Sequence, residues 1–457
     1  MAASETVTQI LREGPQPARV LYERMGISQP TLSRLVGQLG ESILRFGKAR
    51  QTQYALRRKI GAHVSLPLYQ ISATGNLEQW GILHPIMPSG YLIENTASAA
   101  EALAEIHQGL PWFLQDMRPQ GFMGRIFARV HGSILGLPPD PTRWSDDQVL
   151  LALASMGYDV PGNLIVGEES ASHFQTVALF SNFDLENSAP SADTRLQKYP
   201  ELAHKALLGE FVGSSAGGEQ PKFNTEILRE GRPLHVIVKF TPPQDNTATQ
   251  RWRSLLVCEH LAFKVLSEAF PCSTSELLEA KVGGVSQLFL EVPRFDRVGE
   301  RGRLGVVSLK ALDDEFAGLA TDWPKIALAL VRAGKLSESV YQQVQKLYAF
   351  GVLIGNGDMH PGNLSFFIDD VSKPGPQLTL APVYDMLPMF LAPRASGQIP
   401  EDLPLPKIGV NPPLEVWKEM MPLAIHYWHQ VAEHPDIADD VKHIAQRQAD
   451  LLSRPLS

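Results

Sequence analysis

The stretch LIGNGDMHPGNLSFF, residues 353–367, decides how the rest of the chain is read. An apolar helical run, QQVQKLYAFGVLIGN (342–356), stops at glycines, and an apolar run with strand character, LSFFI (364–368), follows. Between them a sharp loop presents Asp358 and, five positions on, Asn363. A solvated turn has no need of that pair between two apolar segments. Phosphoryl transfer does need it: a carboxylate orients or deprotonates the accepting hydroxyl, and an oxygen ligand holds Mg²⁺ beside it.

Three further segments belong with this loop. Downstream, LAPVYDMLP (380–388) ends an apolar run on Asp385. An aspartate in apolar surroundings is rare unless paired or bound to metal, and its position suits a second Mg²⁺ carboxylate. Upstream, PLHVIVKF (233–240) is a short apolar strand carrying one lysine, Lys239, which needs a counter-charge or a phosphate. Glu259, on the helical stretch RSLLVCEHLAFKVL, is a candidate for that counter-charge. Before the strand, GSSAGGEQPKF (213–223) has the small residues that let backbone N–H groups approach an anion. It is neither a Walker A motif nor a GxGxxG motif. Singly, such a loop is more often a surface turn, and a lone strand lysine more often snorkels to solvent.

Taken in order, GSSAGGEQPK, VIVKF, EVPRFDR (291–297), NGDMHPGN and VYDMLP resemble the HipA-like serine/threonine kinases, the toxin kinases of bacterial toxin–antitoxin pairs. GILHPIMPSGYLIE (81–94) is similar to part of that family's N-terminal subdomain. The resemblance implies an α+β, two-lobed protein-kinase-like fold that uses ATP and Mg²⁺. It implies that Asp358 is catalytic, that Lys239 holds nucleotide phosphates, and that Asn363 and Asp385 bind the metal. It places Gly217, Gly218, Glu219, Gln220 and Lys222 in the loop near the phosphates, and Pro293, Arg294 and Phe295 at a hinge against the adenine. His360 falls in the catalytic loop, in a structural or phosphate-side role. Ser215, with Ser214 as the fallback, lines up with the loop serine that the family autophosphorylates. A phosphoserine there would compete with the nucleotide's own phosphates and switch the enzyme off. The resemblance also points to a protein substrate in translation, such as an aminoacyl-tRNA synthetase.

The front of the chain is of another kind. Residues 1–60 hold ten Lys/Arg against four acids, while the whole chain carries a net charge of −8. A basic module on an acidic body suggests that the front meets a polyanion. SETVTQILRE, ARVLYERM and ISQPTLSRLVGQLG read as helix, helix and helix, with Gly26 between the last two and Ser28 as a cap. Ile27, Leu32, Leu35, Val36 and Leu39 form the inward stripe. Gln29, Thr31, Ser33 and Arg34 are left to face base edges. SILRFGKARQTQYAL reads as a hairpin turning near Gly47-Lys48, with Lys48 and Arg50 for phosphates. The expectation is a small winged helix-turn-helix domain over 1–60 that binds double-stranded DNA. A helical interaction module is the plainer alternative.

Residues 61–200 are expected to form the N-terminal subdomain of the resemblance and 201–457 the kinase domain. The middle part looks strand-rich, with turns at Gly75-Asn76 and Ser89-Gly90, helices over 98–107 and 145–156, and a polar loop over 181–200. No apolar run is long enough to span a membrane, no secretory signal opens the chain, and Cys258 and Cys272 are the only cysteines, so a cytoplasmic protein is expected. Family kinases usually act with a separate helix-turn-helix antitoxin. Here that element is expected on the same chain, which favours a self-contained regulator and leaves a separate antitoxin as the alternative partner. Asp358, His360 and Asn363 also match the loop of aminoglycoside and choline phosphotransferases, so a small-molecule kinase stays open. So does a catalytically silent DNA-binding regulator, although a dead site has no physical reason to keep Lys239, Asp358, Asn363 and Asp385 together.

Overall fold

The computed structural model describes residues 3–96, 104–177, 194–210, 220–373, 375–394 and 396–454. At the front, helices α1 (Ala3–Leu11), α2 (Ala18–Met25) and α3 (Gln29–Leu39) pack on a sheet of β1 (Gln16–Pro17), β2 (Ile43–Phe46) and β3 (Gln53–Leu56), in the order β1-β3-β2. Gly26, at φ 63°, ends α2, and the Ser28 hydroxyl accepts the Thr31 N–H at 3.4 Å to start α3. Val7, Leu11, Leu21, Leu32, Ile43 and Tyr54 form a small core, with Ile27, Leu35, Val36 and Leu39 half-buried against it. The connection between β2 and β3 is longer than a turn at Gly47-Lys48 and includes a 3₁₀ turn at Ala49–Gln51.

The middle unit is an antiparallel sheet of β4 (Leu66–Ile71), β5 (Leu77–Pro85), β6 (Tyr91–Asn95), β7 (Ala104–His107) and β8 (Leu164–Val166), ordered β7-β6-β5-β4-β8. Its helices are α4 (Gly121–Phe127), α5 (Asp146–Met156) and α6, which begins at 168. Ser145 and Gln148 form a reciprocal capping box that starts α5. Val149, Leu150, Leu153 and Ala154 of α5 then close over Leu66, Leu68, Leu83 and Ile93 of the sheet. The helix expected over 98–107 is corrected at its described end: Ala104–His107 is an edge strand, with His107 opposite Tyr91. Local alanines favour a helix there, but pairing with β6 outweighs propensity. The front unit docks on the same sheet. Leu44 and Ala55 pack on Ile86 and Leu92, and the Arg58 guanidinium binds Asp147 at 2.5 and 2.9 Å. Arg58 is therefore turned inward and is not part of an exposed basic face.

The remaining residues form two lobes. The first opens with α7 (Arg195–Leu207), which spans the boundary expected at 200 and lies where a polar loop was expected. It packs on the sheet of β9 (Lys222–Arg229), β10 (Arg232–Phe240), β11 (Glu276–Val282) and β12 (Val285–Pro293), so this lobe starts before residue 200. The sheet order is β11-β12-β10-β9, and α8 (Thr247–Leu266) runs between β10 and β11 in the chain. Both hairpins close through two residues of positive φ, Glu230-Gly231 and Gly283-Gly284, the backbone that two-residue hairpin turns require. On β10, Val236, Val238 and Phe240 face a core with Tyr199 and Phe289. The strand's period of two turns Lys239 to the other face, toward α8. A short hairpin, β13 (Arg297–Val298) with β14 (Gly302–Arg303), leads to the second lobe.

That lobe holds a sheet of β15 (Gly305–Ser308), β16 (Ser365–Ile368) and β17 (Leu378–Leu380). Its helices are α9 (Leu309–Leu312), α10 (Trp323–Arg332), α11 (Glu338–Leu353), α12 (Leu414–Glu433) and α13 (Asp439–Leu452). Trp323, Phe350, Trp417, Tyr427 and Trp428 fill a core continuous with Leu255, Leu256 and Val257 of α8.

One ion network ties α7 to the first lobe's sheet. Glu291 is 0% exposed and accepts from Arg195 and Arg229, each at 2.8 Å, and from the Tyr199 hydroxyl. Removing one partner of a buried pair costs about 3–5 kcal/mol because the other charge is left uncompensated. Glu291→Ala should therefore destabilise the chain by about that amount in chemical denaturation, and a loss below about 1 kcal/mol would contradict the assigned burial.

Candidate active site

Three elements bring their charges to one point. β10 carries Lys239, α8 carries Glu259, and the segment after β17 carries Asp385. The Lys239 ammonium donates to both Glu259 oxygens, at 2.6 and 2.8 Å, and to the Asp385 carboxylate. Lys239 is 6% exposed and Glu259 1%. Burial works against the charge on Lys239, but Asp385 and Glu259 outweigh it and raise its pKa. Burial likewise works to raise Asp385, yet Lys239 and Lys222 prevail and hold that carboxylate below its ordinary range. Glu259, wholly enclosed, is pushed up chiefly by burial. Asp385 is thus the more firmly ionised of the two acids. It also stands at φ 51°, a left-handed conformation that aspartate tolerates better than most residues and that is common at functional sites. Lys222, the first residue of β9, is paired across the sheet with Lys239 and is itself buried.

The loop after α11 supplies the other half. Asn356, which the reading of the sequence left without a role, holds the two carboxylate segments together. Its Oδ1 accepts the Asp358 N–H at 3.1 Å and its Nδ2 donates to the Asp385 carbonyl at 3.1 Å. Asn363 donates from Nδ2 to the Asp358 carbonyl at 2.8 Å, which leaves Oδ1 as its oxygen for a metal. The Asp358 side chain is exposed. His360 is exposed and caps the turn: its Nδ1 accepts the Gly362 N–H at 3.0 Å, and its carbonyl accepts from the Trp323 indole at 3.0 Å. Tyr384 was also missed. Its buried hydroxyl donates to the Gly362 carbonyl at 2.8 Å and takes the Ser365 hydroxyl at 2.6 Å. Its ring stacks on Phe295, with centroids 5.8 Å apart.

Pro293 ends β12, and Phe295 lies just beyond it between Tyr384 and Phe367. Arg294 requires a correction. Its guanidinium turns away from this cleft to Asp296, at 2.9 and 3.0 Å, and toward Asp159 of the middle unit. Gln220 is described as a half-buried bend before β9. Ser214, Ser215, Gly217, Gly218 and Glu219 lie outside the described residues. In the front unit Gln29, Ser33, Arg34, Lys48 and Arg50 are exposed. Thr31 is half-buried, and its hydroxyl bonds the Ser28 hydroxyl at 2.9 Å within the helix cap. Among the described residues no helix is long and apolar enough to cross a membrane.

The donor set suits Mg²⁺, which takes hard oxygen ligands: a carboxylate from Asp385 and an amide oxygen from Asn363, with Lys239 and Lys222 beside them for phosphate charge. Comparison with known proteins agrees on the class. Residues 214–450 match the family described as "HipA-like C-terminal domain", and residues 62–175 match "YjjJ-like toxin, middle domain". The chain is 37% identical over 442 residues to Toxin YjjJ of Escherichia coli (strain K12), covering 96% of this chain and 95% of that protein. It belongs to the HipA-like family and carries the YjjJ-like middle domain. Among solved structures, a Helicobacter pylori proinflammatory kinase, CtkA, is similar at 13% identity, covering 52% of this chain and 88% of that one, with a TM-score of 0.34.

The Asp385 shift sets a pH dependence. A carboxylate whose folded pKa is depressed contributes stability above its unfolded pKa and loses that contribution as pH falls through the folded value. The Lys239–Asp385 link should therefore survive acidification through the usual aspartate range near 3.8 and break only below it. A carboxyl ¹³C titration, assigned with Asp385→Asn, should show Asp385 protonating below the bulk of the aspartates. Protonation at or above their range would contradict the pairing.

Proposed function

We propose that the chain is an ATP- and Mg²⁺-dependent serine/threonine protein kinase of HipA type, a toxin with a DNA-binding module of its own. The observation that carries this reading is the convergence of Lys239, Glu259 and Asp385 opposite the Asp358–Asn363 loop. A lysine held by a helix glutamate is ready to meet nucleotide phosphates, and the α8 pair fixes its position. Asp358 accepts the proton of the attacking serine or threonine hydroxyl and aligns it. Asn363 Oδ1 and the Asp385 carboxylate hold the metal. Bound Mg·ATP supplies the phosphoryl group and neutralises charge as it develops. Tyr384 and Asn356 keep both carboxylate segments in register. The toxin name of the Escherichia coli relative and the family resemblance both favour a protein acceptor, in translation, over a small alcohol.

Asp358→Asn should lose phosphotransfer by about 10²-fold or more while still binding nucleotide, because that carboxylate acts mainly in the transition state. Asp385→Ala should weaken Mg·ATP binding itself. Radiolabelled ATP with lysate reveals the acceptor, and mass spectrometry of the incubated enzyme reads Ser215 and Ser214. Phosphate on Ser215 that is absent in Asp358→Asn supports self-inactivation. Full activity in Asp358→Asn would overturn the kinase reading.

The exposed Gln29, Ser33, Arg34, Lys48 and Arg50 support the DNA-binding part. Neutralising Lys48 and Arg50 together should weaken duplex binding across all sequences and reduce the log–log salt slope by about 2, near 1 for each phosphate contact. Changing Gln29 or Arg34 should instead shift sequence preference. An unchanged salt slope in the double variant would remove these two residues from the interface.

A further inference from the structure

A second cavity, of about 270 Å³, lies where the middle unit meets the first lobe. Its walls come from Tyr158, Asp159 and α6, from the β9–β10 hairpin, and from the segment around β13–β14, so that Asp159, Glu226 and Glu300 face it beside four arginines. None of Lys239, Glu259, Asp358, Asn363 or Asp385 lines it. Three buried polar atoms on these walls have no hydrogen-bond partner among the described residues: Arg303 Nη1, Arg301 Nε and Glu226 Oε1. Arg303 is 5% exposed, and its other terminal nitrogen donates to the Tyr158 carbonyl at 2.6 Å, so the guanidinium is anchored with one edge left over. The guanidinium carbons of Arg301 and Arg303 lie 5.3 and 5.0 Å from the centre of the Phe174 ring, which brings the two cations to one wall. Also on the wall, His235 Nε2 is 3.6 Å from Glu226 and donates to the Glu300 carbonyl at 3.0 Å.

Burial first, then repulsion from Arg297, and Arg294 further down, lowers the Arg303 pKa well below its ordinary value, although Asp159 and Asp296 offset part of this. Burial together with Glu300 and Asp159 raises Glu226 to about 7, so it exchanges a proton near neutrality. Asp159 and Asp296 pair with Arg294, Arg297 and Arg303, but among the described residues no carboxylate forms an ion pair with Arg301. An anion in the cavity would answer Arg301 and the free edge of Arg303 together.

We propose that this cavity binds the phosphate group of a small phosphate monoester, with Arg301 and Arg303 donating to its oxygens and Glu226 accepting from a hydroxyl or amine on the ligand body. The volume exceeds what a bare phosphate fills, which leaves room for that body. A ligand seated here bridges α6 of the middle unit to β9, the strand that begins at Lys222. It would therefore couple the middle unit to the active-site lobe without entering the site. The arrangement does not depend on the kinase reading.

Thermal unfolding of the full chain tests it, with inorganic phosphate as the probe and ionic strength held constant with chloride. Phosphate should raise the melting temperature saturably. Arg301→Gln, at a half-buried position, should weaken the midpoint about ten-fold. If that variant starts from a lowered melting temperature, Arg301→Lys decides, because it keeps the charge and lacks the Nε donor; it too should weaken the midpoint. Saturating Mg·ADP should leave the phosphate response in place. Absence of a saturable response in the wild type would overturn the proposal. So would an unchanged midpoint in both Arg301 variants, or loss of the response with Mg·ADP, which would put the phosphate in the nucleotide cleft.

Discussion

A single ammonium group holds the active-site region together. Lys239 lies at the end of a buried strand, and an unpaired charge there would be driven to neutralise or to leave. It does neither, because Glu259 from α8 and Asp385 from the second lobe both reach it. The three residues are far apart in the chain, so satisfying one charge sets the position of α8 against the sheet and of one lobe against the other. Two carboxylates converge on the one ammonium, and buried Lys222 acts on both of them, so the formal charges of the cluster balance. Asp385, the acid held ionised, and the free Asn363 Oδ1 are the hard oxygen donors that a divalent cation would take here.

Around that centre the supports are neutral and geometric. Asn356 fastens the Asp358 loop to the Asp385 segment with one hydrogen bond on each side. Tyr384 does the same between Asp385 and the Gly362–Ser365 turn, and its ring leans on Phe295 from the end of β12. The middle unit meets these lobes through charge. Asp296 accepts from Arg294, Arg297 and the Gly162 N–H, and Asp116 takes both the N–H and the hydroxyl of Ser308. Such a joint is directional, so the middle unit holds a defined position against the active-site lobe.

Much of the site was legible because its residues break local rules. Asp358, Asn363, Asp385 and Lys239 are polar groups in or beside apolar runs, and each needed an explanation that only a partner or ligand gives. Glu259 carried the same signal, a charge among Val257, Cys258, Leu261 and Ala262, but choosing it from the other acids required knowing which helix face meets β10. Asn356 and Tyr384 act through backbone atoms, and sequence spacing does not reveal such bonds. Arg294 was misplaced for a simpler reason: beyond an extended strand end neighbouring side chains alternate, so the residue before an inward Phe295 points the other way. The strand at Ala104–His107 was hidden by helix-forming composition, since only the neighbouring β6 makes it a strand.

The central claim is that the Lys239–Glu259–Asp385 cluster and Asn363 form a metal-dependent nucleotide site. Calorimetric titration of ATP into the full chain, once with Mg²⁺ and once with EDTA, tests it most directly. The account predicts one site per chain, with affinity at least about ten-fold tighter when Mg²⁺ is present, because the metal would join the Asp385 carboxylate and Asn363 Oδ1 to the phosphate oxygens. Equal affinity with and without Mg²⁺, or no binding in either case, would contradict it.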